Sequence, residues 1–405
     1  MDVPDFVRLL KQKNMDSEVW WDASPTLYAA FKHTLLMKYP SLRSMIENLL
    51  PDGFSDNKTG VSGATTNPGL ITQAVLNAPQ RWREYLSALP TRFSDEHKAR
   101  RVYEHMITVG AAALEPRWVA SRHRQGWLSA QIEGADGMSA DALVARGLQL
   151  ASLAPNVMVK VPGSEEGYQA IEELVAQGCS INNTFCFSVS QAAACLKAIH
   201  TGQLRARLHG VDTDQAQYVI SFMIGRLGAE PEFERQAEQR RLRLTAADRR
   251  RAEIAVYQAI QALMRCHPTP ARLLLCSLKI DVDACGGEHC WHLQRTGADT
   301  TLYTLTPHII EFLIRRQQQK QPITPAGDRE PTPTRVLQRL MAIPYFNQAY
   351  FEGDLAPWEF SAHPAFVTAS QYARDGQETL LAFVRGGHVR SRPNPWPQSS
   401  LERAS

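Results

Sequence analysis

Eight short β-rich runs alternate with helix-patterned stretches along this 405-residue chain, and that alternation limits the fold more than any other feature. The runs are 19–22 (VWWD), 61–67 (VSGATTN), 126–133 (GWLSAQIE), 157–161 (VMVKV), 180–185 (SINNTF), 218–225 (YVISFMIG), 272–279 (RLLLCSLK) and 300–305 (TTLYTL). In the intervening stretch 165–178, Tyr168, Ile171, Leu174 and Val175 share one helical face, glutamates open the segment and Gly178 closes it. Residues 189–199 repeat the pattern. Strands separated by helices pair in parallel, and eight parallel strands close a (β/α)8 TIM barrel of the α/β class. A doubly wound open sheet is the competing architecture. No G-x-G-x-x-G follows the first run, which weighs against its dinucleotide-binding form.

The fourth run sets a chemical puzzle. Lys160 stands among Val157, Met158, Val159 and Val161. Burying an ammonium group is costly unless it is paired or loses its proton. One reading is an edge strand whose lysine reaches out to water. The other is a dry pocket that lowers the amine's pKa so that it attacks a carbonyl.

Composition narrows the partners. A net charge of +3 is too small to argue for nucleic acid or a membrane surface. The first residues lack an apolar stretch of signal-peptide length, and no apolar run approaches the roughly 20 residues of a membrane span, so a cytoplasmic location is expected. Seven scattered cysteines fit free thiols better than a disulfide framework. The segment DVDACGGEHCWH clusters Cys285, His289, Cys290 and His292. It lacks a second ligand pair at finger spacing, so a glycine-containing loop is expected and no metal or cofactor. Residues 233–257 interleave Arg with Glu and Asp and read as the solvated face of one or two outer helices.

The expected organisation is one barrel domain with a C-terminal helical extension over 1–385 and a flexible tail over 386–405. Residues 317–335 read as a Pro-rich loop. The aromatic segment 343–360 either covers a barrel mouth or packs outside it.

In a parallel barrel, chemistry sits at the C-terminal ends of the strands. The polar residues there are Asp22; Thr65, Thr66 and Asn67; Gln131 and Glu133; Lys160; Asn182 and Thr184; Ser221 followed by Arg226; and Ser277 with Lys279. Singly, each reads as a turn or cap residue. Jointly they form a ring of Asp, Asn, Gln and Thr around one lysine, with cations on the late strands.

These residues carry a resemblance. GATTNPGLI (63–71) resembles the signature of transaldolases, and 157–188 is similar to the family's Schiff-base lysine region and the Asn-x-Thr strand after it. VWWDAS resembles the family's first strand, and SFMIGR its Ser-x-x-x-x-Arg phosphate element. The likeness spans roughly 15–310 in consistent order and implies a transaldolase-like barrel needing no cofactor. It implies that Lys160 forms a Schiff base with a ketose phosphate and that Asp22 is the general base. A dihydroxyacetone unit then passes to an aldehyde. Asn67, Asn182 and Thr66 would hold that unit, and Arg226, Ser221, Ser277 and Lys279 the phosphate. The implied partner is a sugar phosphate or related carbonyl compound, not nucleic acid or membrane; a homodimer is left open.

Two positions depart from the family pattern. A strand-three glutamate is expected to pass protons through a water beside the strand-five threonine, Thr184. Here Gln131 stands at that place, and an amide exchanges no proton at neutral pH. Three outcomes are compatible: another group such as Glu133 takes over, the chemistry shifts toward aldolase cleavage or a specialised carbonyl substrate, or the barrel has lost activity. Lys279 stands where the family often has Arg, which forfeits bidentate geometry.

Overall fold

The computed structural model describes residues 4–52, 60–283, 285–326 and 329–387. The tail expected over 386–405 therefore lies almost wholly outside the described residues.

Ten strands occur among them: β1 Glu18–Asp22, β2 Ala64–Thr66, β3 Leu128–Gln131, β4 Val157–Pro162, β5 Ile181–Cys186, β6 Tyr218–Phe222, β7 Ala271–Leu275, β8 Asp281–Val282, β9 Glu288–His289 and β10 Leu302–Leu305. Eight close into a parallel barrel in the order β1-β10-β7-β6-β5-β4-β3-β2. Every run read from the sequence supplies one barrel strand, so the (β/α)8 expectation holds and the open sheet does not. β8 and β9 form a separate two-stranded antiparallel hairpin, in the segment read as a loop.

Several helices that follow the strands are opened by side-chain caps. Ser164 accepts from the Gly167 amide at 3.1 Å and opens Glu165–Ala176, and Gly178 leaves at φ +82°. Ser188 does the same for Val189–Leu208. The Arg-rich stretch divides into two outer helices, Pro231–Gln239 and Ala246–Cys266, the second opened by a Thr245/Asp248 capping box.

The two-residue period of the strands positions the site. Trp20, Trp127, Met158, Val219, Leu274 and Leu302 form a small apolar cluster of their own. Five of them stand two residues before Asp22, Lys160, Ser221, Cys276 and Thr304 respectively. Both members of each pair face inward, so the apolar cluster is the floor beneath a polar layer. Below that floor the buried Glu18 carboxylate accepts from Arg272 at 2.5 Å, Ser62 at 2.7 Å and Trp20 at 2.9 Å.

The aromatic segment 343–360 packs outside the barrel. Its helix Pro344–Tyr350 lies on Pro231–Gln239 and Ala246–Cys266, and the Tyr345 hydroxyl donates to the Leu227 carbonyl at 2.9 Å. The element that reaches the C-terminal mouth is the next one, Pro364–Val384. The Pro-rich stretch 317–335 is largely without regular structure; Thr334 begins a further helix, and 327–328 are not described. Among the described residues no helix is long and apolar enough to cross a membrane.

Candidate active site

A cavity of about 700 Å³ opens above the apolar floor, lined by Asp22, Thr65, Asn67, Lys160, Ser221 and Arg226 among others. Lys160 is buried, only 8% exposed, and points into it. Burial pushes its ammonium below the ordinary lysine range; Cys276 and Asp22 oppose this and Arg226 adds to it. The edge-strand reading of Lys160 fails, because β4 is paired on both sides, by β3 and β5.

Neighbours of Lys160 follow from register. Gln131 on β3 and Asn182 on β5 are its direct partners, so both share its inner face. Asn182 links two neighbours: its amide donates to Ser129 at 2.8 Å and its carbonyl oxygen accepts from Ser221 at 2.7 Å. Neither Gln131 nor Asn182 lines the open part of the cavity. Thr184 is buried with no hydrogen-bond partner for its hydroxyl among the described residues, and it too lies off the cavity.

Asp22 ends β1 half-buried. Its two carboxylate oxygens accept from Thr65 at 2.8 Å and Thr304 at 3.3 Å, which fixes the group over the cavity. Asn67 caps the helix Pro68–Asn77, its side-chain oxygen accepting from the Leu70 amide at 3.0 Å. The cap and binding readings are thus compatible, since the amide nitrogen is not spent on the cap.

Two expectations are corrected. Thr66 does not line the cavity; it pairs with Ala130 on the outer face, and Thr65 takes the inner position. Glu133 does not face the cavity either. β3 ends at Gln131, so the period of two stops there, and Glu133 instead pairs with Arg146, which also binds Glu104 at 2.8 Å.

Arg226 sits on the short turn of helix Ile224–Leu227, buried at the cavity wall with Ser277 and Lys279. Ser277 adopts φ +60°, and its carbonyl comes so near Gly225 that a Cβ there would lie 2.0 Å away. Glycine at 225 thus lets the loop after β7 close against the turn that holds Arg226. Burial pushes the Lys279 ammonium down to about 8, helped by Arg226 and Arg250. Among the described residues Lys279 makes no ion pair.

Beneath Lys279 lies a buried polar strut that sequence reading missed. The Lys279 amide donates to His292 Nδ1 at 3.2 Å, and His292 Nε2 donates to Glu253 at 2.7 Å. Glu253 also accepts from Arg250, at 2.7 Å on each oxygen, and from the Gly228 amide at 3.1 Å. Arg250 continues to Asp281 at 2.9 Å. His292, read beside Cys290 as a possible ligand, is a structural link here. Among the described residues no group of three or more His, Cys, Asp or Glu side chains could hold a metal. Cys276, Thr304 and Tyr372 also line the cavity unforeseen. Parity of β7 and β10 would have found the first two; nothing local marks Tyr372.

A buried amine over an apolar floor, a fixed carboxylate and a cationic far wall suit carbonyl attack on an anionic substrate. Comparison with known proteins points the same way. A family model described as transaldolase/fructose-6-phosphate aldolase matches residues 44–343. Transaldolase 1 of Streptomyces avermitilis is 31% identical over 173 residues, 42% of this chain and 46% of that protein. The transaldolase of Thiobacillus denitrificans is 29% identical over 195 residues, 46% of this chain and 53% of that protein. That of Campylobacter jejuni strain RM1221 is 27% identical over 196 residues, covering 44% and 58%. The chain thus spans about half the length of the curated relatives it matches. The family match covers well over half of the chain, which therefore belongs to the transaldolase/fructose-6-phosphate aldolase family.

Proposed function

We propose that this chain is a transaldolase-type enzyme that forms a Schiff base on Lys160 with a ketose phosphate and transfers a dihydroxyacetone unit to an aldehyde. The observation that carries the reading is the buried Lys160 amine, pushed toward its neutral form at the base of a cavity whose far wall holds Arg226 and Lys279. Neutral Lys160 attacks the keto carbon, water leaves, and the resulting iminium draws electrons from the adjacent C–C bond. Asp22 takes the proton from the hydroxyl on the carbon beyond that bond. An aldose phosphate departs and a three-carbon enamine stays on Lys160 until a second aldehyde accepts it. Arg226, Ser277 and Lys279 bind the phosphate, Asn67 the dihydroxyacetone unit, and Asn182 aligns Ser221 and Ser129 around it. The barrel and C-terminal helices act as one domain, a reading supported by an apolar cluster running from Phe6 to Phe383.

Gln131, in register beside Lys160, favours a second reading: aldolase cleavage without efficient transfer. An amide there keeps hydrogen bonds but moves no proton, and Glu133 is turned away to Arg146. Incubation with fructose 6-phosphate or dihydroxyacetone, borohydride reduction and digestion test the main reading. A mass increment on the Lys160 peptide is expected; its absence with every keto substrate would sink both readings. With trapping secured, turnover of erythrose 4-phosphate separates transfer from cleavage. A Gln131→Glu variant that transfers much faster would identify the missing proton relay.

A further inference from the structure

The C-terminal helix Pro364–Val384 lies outside the family-matched residues 44–343, yet it roofs the cavity. It crosses the mouth from one side to the other. Phe366 packs edge-on against Phe185 near the end of β5, with ring centres 5.3 Å apart. Farther along, Gly376 meets Gly69 so closely that a Cβ on Gly376 would lie 2.6 Å from the Gly69 backbone, and Thr72 donates to the Gly376 carbonyl at 2.8 Å. Arg374 pairs with Asp136 beyond β3, and Phe383 packs beneath Arg83 at 5.0 Å. The helix is therefore tied down at both ends of its span, and Tyr372 hangs from its middle into the cavity.

Three observations describe that tyrosine. The Arg226 guanidinium lies over its ring at 5.2 Å. Its ring edge borders Gly69 next to the Asn67 side chain, since a Cβ on Gly69 would lie 3.2 Å from Tyr372 and 3.3 Å from Asn67 Oδ1. Its hydroxyl has no hydrogen-bond partner among the described residues. The phenol thus stands between the cationic wall and the end of the cavity held by Asp22 and Asn67, with a donor and an acceptor unspent.

We propose that Tyr372 is a specificity-determining residue: its ring aligns Arg226 for a substrate phosphate, and its hydroxyl bonds the sugar chain between that phosphate and the carbon–carbon bond being broken. This deepens the Schiff-base reading and rests on it. The roof also sets the length of aldehyde that fits, because an acceptor must reach from Lys160 to Arg226 under the Tyr372 ring.

The test uses the full chain as wild type, Tyr372→Phe, Tyr372→Ala and Arg374→Ala. The last loosens the roof without touching the cavity. Tyr372→Phe keeps the ring over Arg226, so its affinity for inorganic phosphate by calorimetry should match wild type. Its KM for erythrose 4-phosphate should rise about 3–10-fold, the loss of one hydrogen bond. Tyr372→Ala should weaken phosphate binding as well and reduce the preference for erythrose 4-phosphate over unphosphorylated erythrose. Borohydride trapping of dihydroxyacetone on Lys160 should persist in all four proteins. An unchanged KM in Tyr372→Phe, with trapping intact, would overturn this inference alone. The same pattern in Arg374→Ala would reduce Tyr372 to a structural role and overturn it too. Failure of wild type to trap any donor would remove the Schiff-base reading, and this inference with it.

Discussion

Protonation of one buried histidine should loosen the roof of the site. His363 immediately precedes the C-terminal helix, 2% exposed, and stacks on Tyr345 at 5.0 Å and Phe187 at 6.0 Å. Neither ring nitrogen has a hydrogen-bond partner among the described residues. Burial pushes its pKa from 6.5 down to about 4. The folded state therefore binds this proton more weakly than the unfolded chain, so stability is full above about pH 6.5 and declines as pH falls toward 4. At pH 5 the unfolded histidine is almost wholly charged and the folded one almost wholly neutral, a penalty of about 2 kcal/mol. Replacement by His363→Phe keeps a flat apolar ring and removes the titration. Urea unfolding of both proteins at pH 7.5 and pH 5 measures the effect. Any packing cost of phenylalanine shows at pH 7.5 and cancels in the difference of differences. Wild type should lose about 2 kcal/mol more than the variant over this interval. Parallel losses in the two proteins would refute the reasoning, for they would place the lost stability on other groups.

The remaining predictions concern the cavity. Asp22→Asn should lower kcat about 10²–10⁴-fold while borohydride still traps dihydroxyacetone on Lys160, since attack on the keto carbon does not use this base; loss of trapping would assign Asp22 another role. Lys279 is charged below about pH 8 and neutral above it, so KM for a phosphorylated substrate should rise through that pH and flatten in Lys279→Arg; a KM–pH profile from pH 7 to 9.5 checks this. Glu253→Gln removes the buried charge shared by Arg250 and His292 and should cost about 3 kcal/mol in urea unfolding. It should also raise KM for phosphorylated substrates through the Lys279 loop, whereas a change in stability alone would confine the strut to folding.

The barrel was legible because its signals are local. Each β-rich run carries its own apolar pattern, and several of the following helices their own cap, as at Ser164 and Ser188. Lys160 stood out for the same reason, as one charge inside one strand. The inner ring was legible at Asp22, Lys160, Asn182 and Ser221, each on an inward position of its strand. It failed at Glu133, which lies beyond the end of β3, and at Thr66, which is on β2 but alternates with the residue that truly faces inward.

What stayed hidden is held by contacts between segments far apart in the chain. Glu253, His292 and Lys279 stand on a helix, a short turn and a loop, and only closure of the barrel places them in one line. His292 stood beside Cys290 and Cys285 in the sequence, so proximity along the chain suggested a ligand group. In space its partner is a carboxylate 39 residues earlier. Tyr372 is the stronger case. It comes 146 residues after Arg226, from a helix whose apolar pattern reports only that one face is covered. Gly376 decides where that helix lands, since a Cβ there would lie 2.6 Å from the Gly69 backbone, while a Cβ on Gly69 would crowd the Tyr372 ring at 3.2 Å. The motif GATTNPGLI alone does not show this contact, because Gly376 lies outside it. If Tyr372 sets selectivity as proposed, that property rests on a packing contact made at the family motif and on an aromatic side chain carried outside it.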